Sequence, residues 1–91
     1  MIWYRVGILK GVRDAVYKTV GPDNSVLILA AVRHNLRSGP TGTKIARFPG
    51  NVIGRKFRVH TAKGAYMVHA FYEIDPEDQA VHVVAVEFPG E

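Results

Sequence analysis

The chain has 91 residues, 47% of them hydrophobic, with 12 Lys and Arg against 8 Asp and Glu and a formal net charge of +4. That length sets one domain as the expectation, and the apolar content is enough for a real core, so a disordered tail is excluded. No cysteine is present, which rules out disulfides, thiolate zinc sites and a Cys nucleophile and favours a cytoplasmic home.

The distribution of charge carries more than its sum. Between Asn24 and Tyr72 there is no acidic residue but eight basic ones: Arg33, Arg37, Lys44, Arg47, Arg55, Lys56, Arg58 and Lys63. From Glu73 to Glu91 there are six acids and no Lys or Arg. Such segregation directs a field to one side, toward a polyanion or an acidic partner peptide.

Ile2 to Ile8 reads as a strand, with Trp3, Tyr4 and Val6 as β-formers. Arg5 interrupts its apolar run and no small-residue cleavage site comes after it, so no signal peptide is expected. In Leu9 to Val20 the apolar residues Leu9, Val12, Val16 and Val20 fall at spacings of three and four, the stripe of a helix. Gly21-Pro22-Asp23-Asn24 breaks it, with Gly21 as C-cap and Asp23 or Asn24 capping the next helix.

That second helix is expected over Ser25 to Leu36. Val26, Leu27, Leu29 and Val32 place apolar groups almost all round its first half. This implies burial on more than one side and marks these four as a partner interface. Arg33, His34 and Arg37 complement the negative end of this helix. Its apolar run, Val26 to Val32, is far short of the about 20 residues of a membrane span.

Ser38 to Gly54 is the least regular stretch, a long loop or a loop around one short element such as Thr43 to Phe48. Lys56 to Thr61 then alternates: Lys56, Arg58 and His60 face one way, Phe57 and Val59 the other. Ala62-Lys63-Gly64-Ala65 reads as a hairpin turn. Tyr66 to Ile74 is the next strand, with Met67, His69, Phe71 and Glu73 on one face. After the Asp75-Pro76-Glu77-Asp78 turn comes a last strand, Val81 to Phe88, apolar enough to lie inside the sheet. The fold class is therefore α+β, in the order β-α-α-β-β-β. A helical hairpin covers one face of a small, mostly antiparallel sheet.

No P-loop, dinucleotide fingerprint, zinc-protease helix or nucleophile elbow is present; no cofactor and no metal site are expected. Gly39 to Lys44 resembles a phosphate loop in composition only. The sharper constellation is on the alternating strand. Arg55, Lys56, Arg58 and Lys63, with Lys44 and Arg47 from the loop, are cations of long reach suited to phosphate. His60 and His69 are expected as cross-strand neighbours that supply an acid or base, with Arg58 stabilising charge; these three are the catalytic candidates. Phe71, Tyr66 and Phe48 are the aromatic groups near enough to stack a base.

The segment KFRVHTAKGAYMVHAFYEIDPEDQAVHVVAVEF, residues 56 to 88, resembles the RelE/ParE toxin superfamily. It carries an RxR-like strand, a Tyr-rich strand ending in YEID, an acidic turn and a Val-rich last strand, and the order of elements matches. The resemblance implies a toxin of a type II toxin–antitoxin pair whose basic sheet face meets messenger RNA on the ribosome, without a metal, or DNA gyrase. It also implies a small acidic antitoxin as partner. In the ribonuclease branch a His, Tyr or Arg comes after the last strand; here Glu87-Phe88-Pro89-Gly90-Glu91 stands there. A non-enzymatic binding module from mobile DNA, homo-oligomeric in one version, and a sequence-tolerant nucleic-acid binder remain the alternatives.

Overall fold

The computed structural model describes residues 3–62 and 64–89. Lys63, one of the expected cations, lies outside them. Among the described residues, the elements in chain order are β1 (Arg5–Ile8), α1 (Lys10–Val20), α2 (Pro22–Arg37), β2 (Thr43–Lys44), β3 (Ile53–Thr61), β4 (Gly64–Asp75) and β5 (Ala80–Glu87). The strands form one sheet ordered β1-β5-β4-β3-β2. Only the β1–β5 pair is parallel, with Val6 beside Val81 and Ile8 beside Val83. The expected α+β architecture is thus present, with the two-residue β2 added as a fifth strand on the β3 edge.

Both helices lie on one sheet face, and the core sits between. Val12 and Val16 of α1 and Ile28, Val32 and Leu36 of α2 meet Val59, Val68, Ala70, Tyr72, Val81 and Val83. The helix spacing of three and four and the strand spacing of two deliver these residues to a shared layer. The helices abut more tightly than the sequence suggests. Gly21, at φ +87°, is both C-cap of α1 and N-cap of α2, and Pro22 opens α2 directly. A proline there loses only an N–H that the helix start would leave unpaired. Asn24 is consequently inside α2, where its side-chain amide donates to Val20 O and to the Tyr66 hydroxyl.

The expectation of an all-round buried α2 is corrected. One stripe is buried: Ser25, Ile28, Val32 and Leu36. Val32 is 0% exposed in the core, so it cannot touch a partner, and Leu29 is half-buried against the same core. Val26 and Leu27 point outward, at 68% and 47% exposure. The sheet and α1 cover only the side of α2 that faces them.

Candidate functional site

The face of the sheet away from the helices is reached by alternate residues of β3, β4 and β5. The β3–β4 ladder closes at Thr61 opposite Gly64, tighter than the four-residue turn expected. This shifts every cross-strand partner. His69 stands opposite Lys56, Arg58 opposite Met67, and His60 opposite Ala65. His60 and His69 are therefore not neighbours: His60 stands four positions along β3 from Lys56, the partner of His69, about 13 Å at roughly 3.3 Å per residue.

On the other side of β4, His69 pairs with Glu87. Lys56, His69 and Glu87 thus form one row across three strands, each α-carbon about 5 Å from the next. Arg58 is one row further along the same face. Glu87 escaped the sequence reading because its position depends on the β4–β5 register, which a β-bulge at Phe71/Tyr72 shifts.

The segment between β2 and β3 does not project as a free loop. Ile45 N donates to Val52 O at 3.0 Å, continuing the hairpin, and its tip folds over the open sheet face. Phe48 packs on Phe71 with ring centroids 5.1 Å apart. The Arg47 guanidinium lies 4.9 Å from the Phe71 ring centroid and donates to Glu87 Oε1 at 2.7 Å. Phe71 is consequently fully buried, at 0% exposure, which corrects its assignment as a base-stacking surface. Phe48, another of the three expected stacking residues, forms the outer layer with the Arg47 guanidinium.

His69 is seated by this arrangement. Its ring lies against Phe71, centroids 4.1 Å apart. Its Nε2 hangs over Gly54: a β-carbon on that glycine would be 2.6 Å away. The imidazole is held below its ordinary value of 6.5, first by burial and then by the neighbouring Lys56 charge, with Arg47 adding to it and Glu87 opposing. His69 is therefore a neutral ring at pH 7, able to take a proton.

Arg55, by contrast, works within the fold. Its Nη1 donates to Asn35 O at 3.2 Å and Gly39 O at 3.0 Å, tying the end of α2 to the start of the following loop. Lys44 is exposed on the edge strand β2. The structure thus gathers Arg47, Lys56 and His69, leaves Arg58 adjacent and Lys44 at the rim, and sets His60 at the far end of β3.

No protein-family model matches the chain, and no curated protein matches it in sequence. A solved structure does match in shape: a chain of the toxin–antitoxin complex RelBE2 from Mycobacterium tuberculosis, at a TM-score of 0.68 and 18% identity, covering 100% of this chain and 97% of that one. At that identity the likeness concerns the backbone. This chain and that chain of the complex share one backbone fold, two helices on one face of a mostly antiparallel sheet.

Proposed function

We propose that the chain is the toxin of a toxin–antitoxin pair and that its open sheet face cleaves RNA, with His69 as base. The observation that carries this reading is the Lys56–His69–Glu87 row: a neutral imidazole between an exposed lysine and a carboxylate already paired with Arg47. A neutral His69 can accept the proton of a ribose 2′-hydroxyl. The freed oxygen attacks the adjacent phosphorus, and the bond to the 5′-oxygen breaks. In this reading Lys56 and Arg58 offset the negative charge that grows on the pentavalent phosphorus, and Lys56 gives a proton to the leaving 5′-oxygen. His60, too remote, has no part in it. This reading favours RNA over gyrase because the row supplies proton-transfer chemistry that simple binding to a protein target does not need.

The partner in this reading is a small acidic antitoxin in the cytoplasm. The apolar, exposed Val26 and Leu27 on α2 and Tyr17 on α1 give it a surface to cover. The same exposure favours a second reading, a binding module with no catalytic role, in which the helical layer alone carries function.

Controlled induction in a bacterial host, with His69→Ala and Lys56→Ala beside wild type, tests the first reading. Growth arrest by wild type, relief by both variants and fragmented cellular RNA are the expected results. Folded, expressed wild-type protein that leaves growth unaffected overturns it. Arrest with intact RNA assigns a different target.

A further inference from the structure

A groove of about 480 Å³ runs from the Lys56 and His69 side chains over β2 and β3 to Thr41 and Thr43, two residues that the proton-transfer chemistry does not use. It is far larger than the roughly 30 Å³ that one water occupies, so it has room for a phosphate with its sugar. Its ionisable lining is Arg55, Lys56 and His69, with no carboxylate. Glu87, the acid nearest to His69 in the sheet, sits on the opposite strand and is engaged by Arg47. Thr41 and Thr43 add two hydroxyls.

Two glycines let the walls of the groove close in on one another. A β-carbon on Gly54 would stand 2.6 Å from His69 Nε2 and 2.9 Å from Ile45 Cδ1. One on Gly42 would stand 2.5 Å from Gly54 O and 3.0 Å from the Tyr72 hydroxyl. The loop that brings the threonines is fixed from beneath. The buried Tyr72 hydroxyl donates to Thr41 O, and Arg55 holds Gly39 O. The donors are thereby set before any ligand arrives, which lowers the ordering cost of binding.

We propose that this groove is a phosphate subsite that takes the backbone phosphate of the nucleotide flanking the one at His69. Lys56 supplies the charge, and the Thr41 and Thr43 hydroxyls donate to phosphate oxygens. The inference deepens the RNA-cleaving reading and rests on it for the identity of the ligand, but the groove can be tested without catalysis. It also gives a physical role to the Gly39 to Lys44 stretch, which has the composition of a phosphate loop without its spacing.

The test is titration of the wild-type chain with a 2′-O-methyl RNA hexamer, which cannot be cleaved by 2′-hydroxyl attack, read by amide NMR and anisotropy. Shifts are expected at Thr41, Thr43 and Gly54. Lys56→Ala should weaken binding about tenfold and lower the salt slope by about 0.7. The paired Thr41→Val and Thr43→Val exchange, isosteric and exposed, should weaken it several-fold, whereas Lys18→Ala on the helical face should not. Wild-type affinity in both groove variants, or shifts confined to another surface, overturns the proposal. Parallel titrations use inorganic phosphate and a 3′-mononucleotide. If these bind with the same Lys56 dependence while the hexamer does not, the polynucleotide assignment is overturned in favour of a free phosphate ester. Hexamer binding in a chain that leaves growth unaffected keeps the subsite and removes the toxin reading. Growth arrest without any binding defect in the groove variants does the reverse.

Discussion

Gly54→Ala separates the seat of His69 from the stability of the sheet. The added methyl would meet His69 Nε2 at 2.6 Å and Ile45 Cδ1 and Cγ1 at 2.9 and 3.1 Å. All three are side-chain atoms, so the strand itself need not move. Overpacking of a well-filled site costs about 1–3 kcal/mol. Because Ile45 is half-buried and His69 can rotate toward solvent, the expected loss is at the low end of that range. The larger effect falls on His69. Rotated off Gly54, the ring leaves the burial that is the first cause of its lowered pKa, so its titration should move up toward 6.5. The assay is a carbon-bound imidazole proton titration by NMR, with urea denaturation on the same sample. Gly54→Ala combined with Ile45→Ala relieves the aliphatic clash but leaves the imidazole clash, so it should recover stability and keep the raised titration. A variant that loses stability while His69 titrates as in wild type would refute the seating argument.

Three more outcomes are expected from the same geometry. His69 is held neutral, so the unfolded chain binds its proton first as pH falls; this contribution to stability is full above 6.5 and is lost as pH drops from 6.5 down through the lowered value of the folded chain. Urea midpoints of wild type against His69→Gln across a pH series spanning that value should show this difference, and a parallel pH dependence in both would contradict it. Ile28→Ala should cost about 2–5 kcal/mol because its side chain is wholly buried, whereas Leu27→Ala should stay within about 0.5 kcal/mol. Equal losses would mean that the wrong side of α2 is taken as the core. Glu87→Gln breaks an exposed ion pair worth about 0.2–1 kcal/mol, so stability should hardly change. Loss of the carboxylate that opposes the lowering of His69 should push its titration further down, and an upward movement would exclude Glu87 as its neighbour.

The helical layer and the alternation of β3 were legible in the sequence because each is a local period. Val12 and Val16 declare a helix face within one turn, and Phe57 and Val59 against Lys56, Arg58 and His60 declare a strand with two unlike faces. The site itself was legible only as residue types. Which histidine meets which cation depends on register, and the tighter closure at Thr61 and Gly64 moves His69 from the expected His60 to Lys56. The burial of Phe71 was invisible for a different reason. Its cover, Phe48 with Arg47, comes from a hairpin tip whose anchor is Glu87, 40 residues further along the chain. Gly42 and Gly54 did carry a usable signal. Glycines in or beside strand segments mark close approach of another group, here His69 and Ile45 over Gly54 and the Gly54 carbonyl against Gly42.

The hairpin tip also explains how a small sheet can keep a histidine poised on an otherwise open face. Among the described residues no helix lies on that face, so its cover comes from the hairpin tip, where Ile45, Phe48 and Phe71 form an apolar patch beside the row of charges. The Arg47–Glu87 contact secures it with two exposed groups, a contact that salt weakens. The half-buried imidazole is held neutral, while Lys56 on its other flank is exposed to solvent. Desolvation on one side and an exposed lysine on the other are opposite demands on neighbouring residues of one surface. The folded-over tip meets both, because it covers the β4–β5 side of His69 and leaves the β3 side to the groove.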